Sequence, residues 1–145
     1  MTLAVFNNPG SMKYPEKDKN YCQFDEVRVM YYLSQKEKSL PYLEDILKTS
    51  QDETKQVVAL YITNRLLDNG VKGVDKMYPT LSKYNNSESP YIQTYLAGVY
   101  RKTKVPDAFG PLVNMLIRNS IHPSDNKCNF DPNEEIGGAI LDYLA

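Results

Sequence analysis

Apolar residues recur at helical spacing from Phe24 to the end of the chain, and polar breaks divide them into segments. The pattern predicts an all-α protein, with a single helix over about 25–33 followed by three pairs of one short and one longer helix. The paired helices are predicted at 40–48, 53–67, 73–84, 90–102, 108–117 and 136–144. Residues 1–22 show no helical period and contain Pro9, Gly10 and Pro15, which predicts an extended N-terminal arm. The helical domain then covers 23–145, with pairs at about 39–69, 72–103 and 106–145.

Residues typical of helix ends support these boundaries. Ser39 followed by Pro41 predicts an N-cap with proline inside the first turn, and Ser50 with Glu53 has capping-box spacing. The other predicted ends are Gly70 as a left-handed C-terminal turn, Ser89 or Ser87 as an N-cap, and Asp131 as an N-cap before Pro132.

Apolar positions of the first two pairs correspond at a spacing of 34 residues, in the matches Leu43/Met77, Leu47/Leu81, Val58/Ile92, Ile62/Leu96 and Leu66/Tyr100. The third short helix follows at 35 and the last helix at 44, with Tyr100 matched to Leu144, which predicts about nine extra residues between 118 and 130. A lone helix pair cannot bury its apolar face, so repeated pairs favour stacking into a continuous core. The alternative is an irregular helical bundle whose matching positions arise by chance.

The repeated unit resembles a HEAT repeat. Leu40-Pro41-Tyr42-Leu43 resembles the proline-bearing first helix of that family, and the stretch from Asp52 to Ala59 resembles its acidic turn and apolar second helix. The resemblance implies a right-handed α-solenoid of about three antiparallel helix pairs plus a first single helix. The arginine usual after the turn is missing, with Lys55, Pro90 or Glu135 near that position. A period of 34 also suits tetratricopeptide repeats, but their small and aromatic residues are not in step.

The HEAT resemblance implies that the second helix of each pair lines an inner, partner-binding wall. Tyr61 and Tyr95 occupy equivalent places on two such helices, 34 residues apart, and tyrosine offers contact area and a hydrogen-bonding group at small entropic cost. The predicted partner-binding residues are Tyr61, Asn64, Gln93, Thr94, Tyr95 and Arg101. In the alternative interpretation, Tyr61 and Tyr95 are core residues between neighbouring helices.

These observations predict a non-catalytic scaffold that binds a protein or peptide. One alternative is an enzyme of the HEAT-like lyase or glycosylase type, with the 118–133 loop at its active edge. Another is a structural fragment of a longer solenoid. The last helix, from Ile136 to Leu144, is apolar on more than one face, which predicts self-association or a missing neighbour, since terminal repeats normally carry a polar outer side.

Composition narrows the partners. The 145 residues carry a net charge of −1, so we expect neither nucleic acid nor a membrane as the main partner, because both attract clustered positive charge. No apolar run approaches a membrane span or a signal-peptide core, and the expected location is the cytoplasm. Cys22 and Cys128 are expected to be free thiols, with a single disulfide as the alternative.

We predict no cofactor, metal site or catalytic residue. His122, Asp125, Cys128 and Asp131 share one loop but lack the paired, closely spaced ligands of zinc sites. Cys128 with His122 is the only thiol–imidazole pair, and its sequence setting matches no familiar nucleophile. Glycine-rich phosphate loops are absent.

Overall fold

The computed structural model describes residues 24–123 and 131–145, and this part of the chain is all-helical, without a strand. The predicted N-terminal arm, Cys22 and Cys128 lie outside the described residues. The α-helices are α1 (Glu26–Gln35), α2 (Leu40–Thr49), α3 (Glu53–Asp68), α4 (Tyr78–Leu81), α5 (Pro90–Thr103), α6 (Phe109–Ile121) and α7 (Pro132–Leu144). Short 3₁₀ helices cover Lys36–Ser39, Val74–Met77, Ser82–Tyr84 and Pro106–Ala108.

Four helices form a row in which α1 packs against α3, α3 against α5, and α5 against α7. The other helices pack beside this row, with α2 against α3 and α4, and α6 against α7. Val58, Leu96 and Ile136 are among the fully buried residues of the single core cluster that runs through the described helices. No described helix has both the length and the apolar character needed to cross a bilayer.

Side-chain caps begin four of these helices. Asp25, Asp52, Ser89 and Asp131 each accept a hydrogen bond from a backbone N–H of the first turn, which satisfies a donor that has no partner inside the helix. The predicted caps Ser89 and Asp131 are confirmed. At the other end of α3, the predicted C-terminal turn is confirmed by Gly70, whose φ is +81°.

One predicted cap holds in position only, and another is wrong. Ser39 is the N-cap residue of α2, with Pro41 in the first turn, but it makes no capping hydrogen bond, because its buried hydroxyl donates to the carbonyl of Tyr32 at 2.7 Å. Ser50 accepts from the N–H of Asp52 at 3.1 Å, and Asp52 is the residue that caps α3. In both places the serine hydroxyl stabilises the connection before the helix, an alternative that short polar side chains always offer the backbone.

Three predicted helices also differ in their bounds or form, and one of them is α7, which begins at Pro132 and not at 136. The helix expected at 73–84 is a succession of 3₁₀, α and 3₁₀ turns, with Pro79 inside the first turn of α4. The interruption expected from Arg118 begins later, because α6 continues to Ile121. In this last turn, the hydroxyl of Ser120 donates to the carbonyl of Leu116 at 2.8 Å. The sequence of the turn is polar, and composition alone would assign it to a loop.

The spacing of 34 between α3 and α5 coincides with side-by-side contacts. Residues 61 and 95, 64 and 98, and 68 and 102 lie against each other in turn. At the spacing of 44 predicted for the last helix, Ile92 and Ile136 are both buried, whereas buried Tyr100 is matched to Leu144, which is 70% exposed. A spacing of 40 also matches buried residues, Leu96 to Ile136 and Val99 to Ala139. Because α7 is apolar on several faces, its sequence does not distinguish the two spacings.

Candidate functional site

The two tyrosines predicted to contact a partner lie together on α3 and α5. The rings of Tyr61 and Tyr95 meet edge to face with centroids 5.5 Å apart. Phe24, just before α1, stacks on Tyr61 at 3.9 Å with an interplanar angle of 11° and meets Tyr95 at 5.9 Å. All three are partly buried against the core. Burial raises the pKa of both tyrosines above its ordinary value of 10.

A charged pair lies next to these rings. The hydroxyl of Tyr61 donates to Oε1 of Glu26 at 3.1 Å and accepts from Nη1 of Arg65 at 2.7 Å. Arg65 also forms an ion pair with Glu26 at 3.0 Å, which links α3 to α1. The phenol therefore bridges a carboxylate and a guanidinium, and its position on the surface is fixed by both.

The next contacts join α3 to α5 further along. Nζ of Lys102 donates to Oδ1 of Asn64 and forms an ion pair with Oδ1 of Asp68 at 2.6 Å. Asn64 lies directly over Gly98, which is buried. A Cβ at Gly98 would overlap Nδ2 of Asn64 and stand 3.0 Å from its Cγ, so glycine allows α3 and α5 this separation.

Arg101 joins α5 to α7. Its Nε donates to Oδ2 of Asp142 at 2.6 Å, and its Nη1 lies 3.5 Å from Oε1 of Glu135. The guanidinium rests over Gly138, where a Cβ would stand 2.8 Å from Nη1. We call the surface formed by these contacts the ladder face. It consists of Phe24, Glu26, Tyr61, Asn64, Arg65, Asp68, Tyr95, Arg101, Lys102, Glu135 and Asp142.

Of the remaining two predicted residues, Gln93 is buried and Thr94 is partly exposed. Gln93 is 2% exposed; its Nε2 donates to the carbonyl of Ser87 at 2.7 Å, and its Oε1 accepts from Nδ2 of Asn119 at 2.6 Å. The hydroxyl of Thr94 donates to the carbonyl of Pro90 at 2.7 Å. The structure thus brings Tyr61, Asn64, Tyr95 and Arg101 onto one face, and it places Gln93 in the core.

Sequence reasoning missed that Gln93 belongs to a set of hydrogen bonds that occurs at the start of both α3 and α5. Gln56, at the start of α3, donates to the carbonyl of Ser50 at 2.8 Å, as Gln93 does to Ser87 at the start of α5. Each serine hydroxyl accepts from the N–H of the capping residue two positions later, at 3.1 Å in both cases. The signal was available as a serine, a capping residue and a glutamine at the same spacing. The arrangement repeats after 37 residues, not 34. The reason is that α3 extends about one turn further than α5 does before its first matched apolar residue.

A polar cleft lies where the start of α5 meets the end of α6. It has a volume of about 500 Å³ and is lined by Glu88, Gln93, Arg118, Asn119, His122 and Pro123. Nη2 of Arg118 donates to the carbonyl of Asn85 at 3.1 Å, and Asn119 also donates to Oδ1 of Asn133 at 3.1 Å. Hydrogen bonds therefore connect α5, α6 and α7 at the base of this cleft.

The described residues contain no group of three His, Cys, Asp or Glu side chains placed to hold a metal ion. Of the four loop residues considered above, His122 and Asp131 fall within that part of the chain, and Asp125 and Cys128 lie outside it. Compared with known protein families, curated proteins and solved structures, the chain matches none of them.

Proposed function

We propose that this chain is a protein-binding scaffold, built as a HEAT-like right-handed α-solenoid, and that a protein or peptide partner binds its ladder face. The observation that carries the proposal is the alignment of Tyr61 and Tyr95 on neighbouring long helices, with their rings in contact at 5.5 Å. The row of α1, α3, α5 and α7 supports a stacked arrangement, since each of these helices packs against the next.

The chemistry of the ladder face suits a protein partner. Half-buried aromatic rings provide rigid contact area, and surrounding charged side chains provide a polar rim, as in many protein interfaces. Arg65, Arg101 and Lys102 are each paired with a carboxylate of a neighbouring helix, so the face carries no strong field of either sign. Such a face gives little attraction for a polyanion. Gln93 is left out of the proposed contact surface, because a side chain 2% exposed offers no area to a partner.

The test is affinity capture from cell extract with three forms of the chain. Tyr61→Ala/Tyr95→Ala removes both rings from the ladder face, and Tyr42→Ala removes a partly buried tyrosine from α2, which lies outside that face. We expect the double variant to lose proteins that the wild type and Tyr42→Ala both retain. Circular dichroism verifies that both variants remain helical. Equal recovery by all three forms would exclude this surface.

The cleft at the end of α6 favours a second candidate, an enzyme with the edge formed by residues 118–123 and 131–133 at its active site. A volume of about 500 Å³ falls within the range of small-molecule sites, roughly 300–1,000 Å³. A ligand screen by thermal shift tests it, with Arg118→Ala as the variant that should lose any stabilising ligand. A screen without a hit, or hits that Arg118→Ala retains, would count against the cleft.

The end of the row favours a neighbour as well. Leu141 and Leu144 on α7 are 68% and 70% exposed, and we include self-association through α7, or continuation into a longer array, in the proposal. The proposed setting is the cytoplasm. Sedimentation of Leu141→Glu/Leu144→Glu beside the wild type tests the self-association, which these charges should abolish.

A further inference from the structure

Helix α1 joins the rest of the fold through contacts that a second copy could provide equally well. Val29 and Tyr32 are fully buried, Phe24 stacks on Tyr61, and Glu26 pairs with Arg65. Phe24 and Glu26 reach Tyr61 and Arg65 of α3, beyond the 3₁₀ helix Lys36–Ser39, and the carbonyl of Tyr32 accepts from Ser39 at the end of that 3₁₀ helix. These contacts depend on where α1 lies and not on which chain supplies it.

The connection between α1 and the rest of the fold bends at a strained residue. Lys36 has φ 51° and ψ −128°, a combination that a residue with a Cβ rarely adopts. Its N–H donates to the carbonyl of Leu33 and closes the end of α1. Lys104 has a similar φ of 53° but a ψ of 37°, the ordinary left-handed end of a helix. Of these two lysines, only Lys36 occupies a region that strongly favours glycine.

We propose that α1 exchanges between two copies of this chain by straightening at Lys36, so that Phe24 and Glu26 of each copy occupy the ladder face of the other. Exchange preserves the buried contacts of α1 and removes the strained turn. Its cost is the entropy of association, which makes the exchanged dimer dependent on concentration. The inference does not require a foreign partner, and it goes beyond the scaffold proposal by assigning the occupant of Tyr61, Tyr95 and Arg65 to a second copy.

The first experiment changes the hinge. Lys36→Pro fixes φ near −65° and removes the N–H, so the observed bend cannot form, and we expect the dimer–monomer dissociation constant to fall by at least about tenfold. Lys104→Pro is the matched control: it also removes a positive φ and a backbone bond, from N–H of residue 104 to the carbonyl of Tyr100, away from α1. Lys36→Gly relaxes the bend and should shift the equilibrium toward the monomer. Analytical ultracentrifugation over a concentration series measures all three.

A dissociation constant at least about tenfold lower for Lys36→Pro than for the wild type, with Lys104→Pro unchanged from the wild type, supports the exchange. A monomeric Lys36→Pro, or equal dimerisation of both proline variants, overturns it. If either proline variant fails to fold, a second experiment decides the question at the native hinge.

This experiment exchanges the charges of the α1–α3 ion pair between copies. Glu26→Arg and Arg65→Glu each place like charges together within a closed monomer. When the two variants are refolded together at low salt, only an exchanged heterodimer restores opposite charges at both sites. We expect a heterodimer in the mixture and monomers in each variant alone, measured by native mass spectrometry.

The control mixture combines Arg101→Glu with Asp142→Arg. This ion pair joins α5 to α7, both on the same side of the hinge, so mixing should give no heterodimer. A monomeric mixture of Glu26→Arg with Arg65→Glu, or heterodimers in both mixtures, overturns the proposal. These results are independent of affinity capture by the tyrosine surface, and either proposal can therefore fail alone.

Discussion

Two helix junctions, one between α3 and α5 and one between α5 and α7, share a feature. In each, a glycine lies beneath a polar side chain of the helix that comes before it in the row. In the first, the short amide of Asn64 lies on buried Gly98 beside the rings of Tyr61 and Tyr95. In the second, the long guanidinium of Arg101 lies on Gly138. The close approach of two helices at a glycine is thus combined with aromatic rings and one ion pair, Lys102–Asp68, at the first junction, and with the two carboxylate contacts of Arg101 at the second.

The two junctions should therefore respond to different perturbations. Aromatic packing depends on the phenols remaining neutral, whereas the Arg101 contacts with Glu135 and Asp142 are partly exposed and depend on ionic strength. Alkaline pH should weaken the first junction, and salt should weaken the second.

Alkaline pH is expected to have the largest effect, because it acts on several tyrosines together. Burial raises the pKa of Tyr61, Tyr95 and Tyr100, and that of Tyr143 to about 12. Below pH 10, these phenols are neutral in both folded and unfolded chains, and their contribution to stability is fully present. As pH rises from 10 through the raised folded values, the unfolded chain loses protons first, so stability falls.

The measurement is helix content by circular dichroism against pH, with tyrosinate absorbance recorded in parallel. Tyr61→Phe/Tyr95→Phe should move the alkaline unfolding midpoint upward relative to the wild type. A double variant that unfolds at the same pH would show that the α3–α5 junction does not limit alkaline stability.

Alanine at the two glycines should have the next largest effect and opposite consequences at the two junctions. Gly98→Ala forces the short side chain of Asn64 to move, and overpacking of about 1–3 kcal/mol exceeds the helix-propensity gain of about 1 kcal/mol. We expect a net loss near 1 kcal/mol in urea unfolding. Gly138→Ala displaces only the flexible end of Arg101, and we expect a change between zero and a gain of about 1 kcal/mol.

Two controls separate the clash from the propensity. Gly137 has nothing within 4 Å of an added Cβ, so Gly137→Ala should report the propensity gain alone, about 0.5–1 kcal/mol. In an Asn64→Ala background, Gly98→Ala should become stabilising. Continued destabilisation there would show that Asn64 is not the obstacle.

The smallest effect is expected from the ionic junction. Arg101→Ala should reduce the free energy of unfolding by about 1 kcal/mol at low salt, and less in molar salt, because both partner carboxylates are partly exposed. Arg101→Lys should not restore it fully, since a lysine cannot reproduce the planar contacts to two carboxylates. Lys102→Ala serves as a comparison on the α3 side. An effect of Arg101→Ala that salt leaves unchanged would contradict an electrostatic origin.

Much of the helical pattern could be predicted from the sequence, because apolar spacing and capping chemistry are local. The prediction of an all-α protein is confirmed for the described residues, and so are the ends at Gly70, Ser89 and Asp131. The hydrogen bonds of Ser39 and Ser50 could not be predicted, because short hydroxyl side chains have several backbone groups within reach. Ser39 lies at the N-cap position of α2 but donates to the carbonyl of Tyr32, and Ser50 accepts from the N–H of Asp52, which is the residue that caps α3.

The candidate site was less predictable. The spacing of 34 was enough to place Tyr61 beside Tyr95. It could not show that Phe24 would stack on them, because that contact depends on how the chain enters α1. Gln93 was assigned to the surface as well, because a buried amide and an exposed one look alike in sequence. Partner, solenoid geometry and handedness stay predictions.

The paired serine and glutamine at the start of α3 and of α5 tie each helix to the loop before it. Because both hydrogen bonds end on backbone groups, the pattern Ser-x-Asp/Ser-x-x-x-Gln fixes how the chain enters the helix without prescribing the apolar residues around it. The same heptapeptide, placed at the start of a long helix in another protein, should therefore impose the same entry geometry.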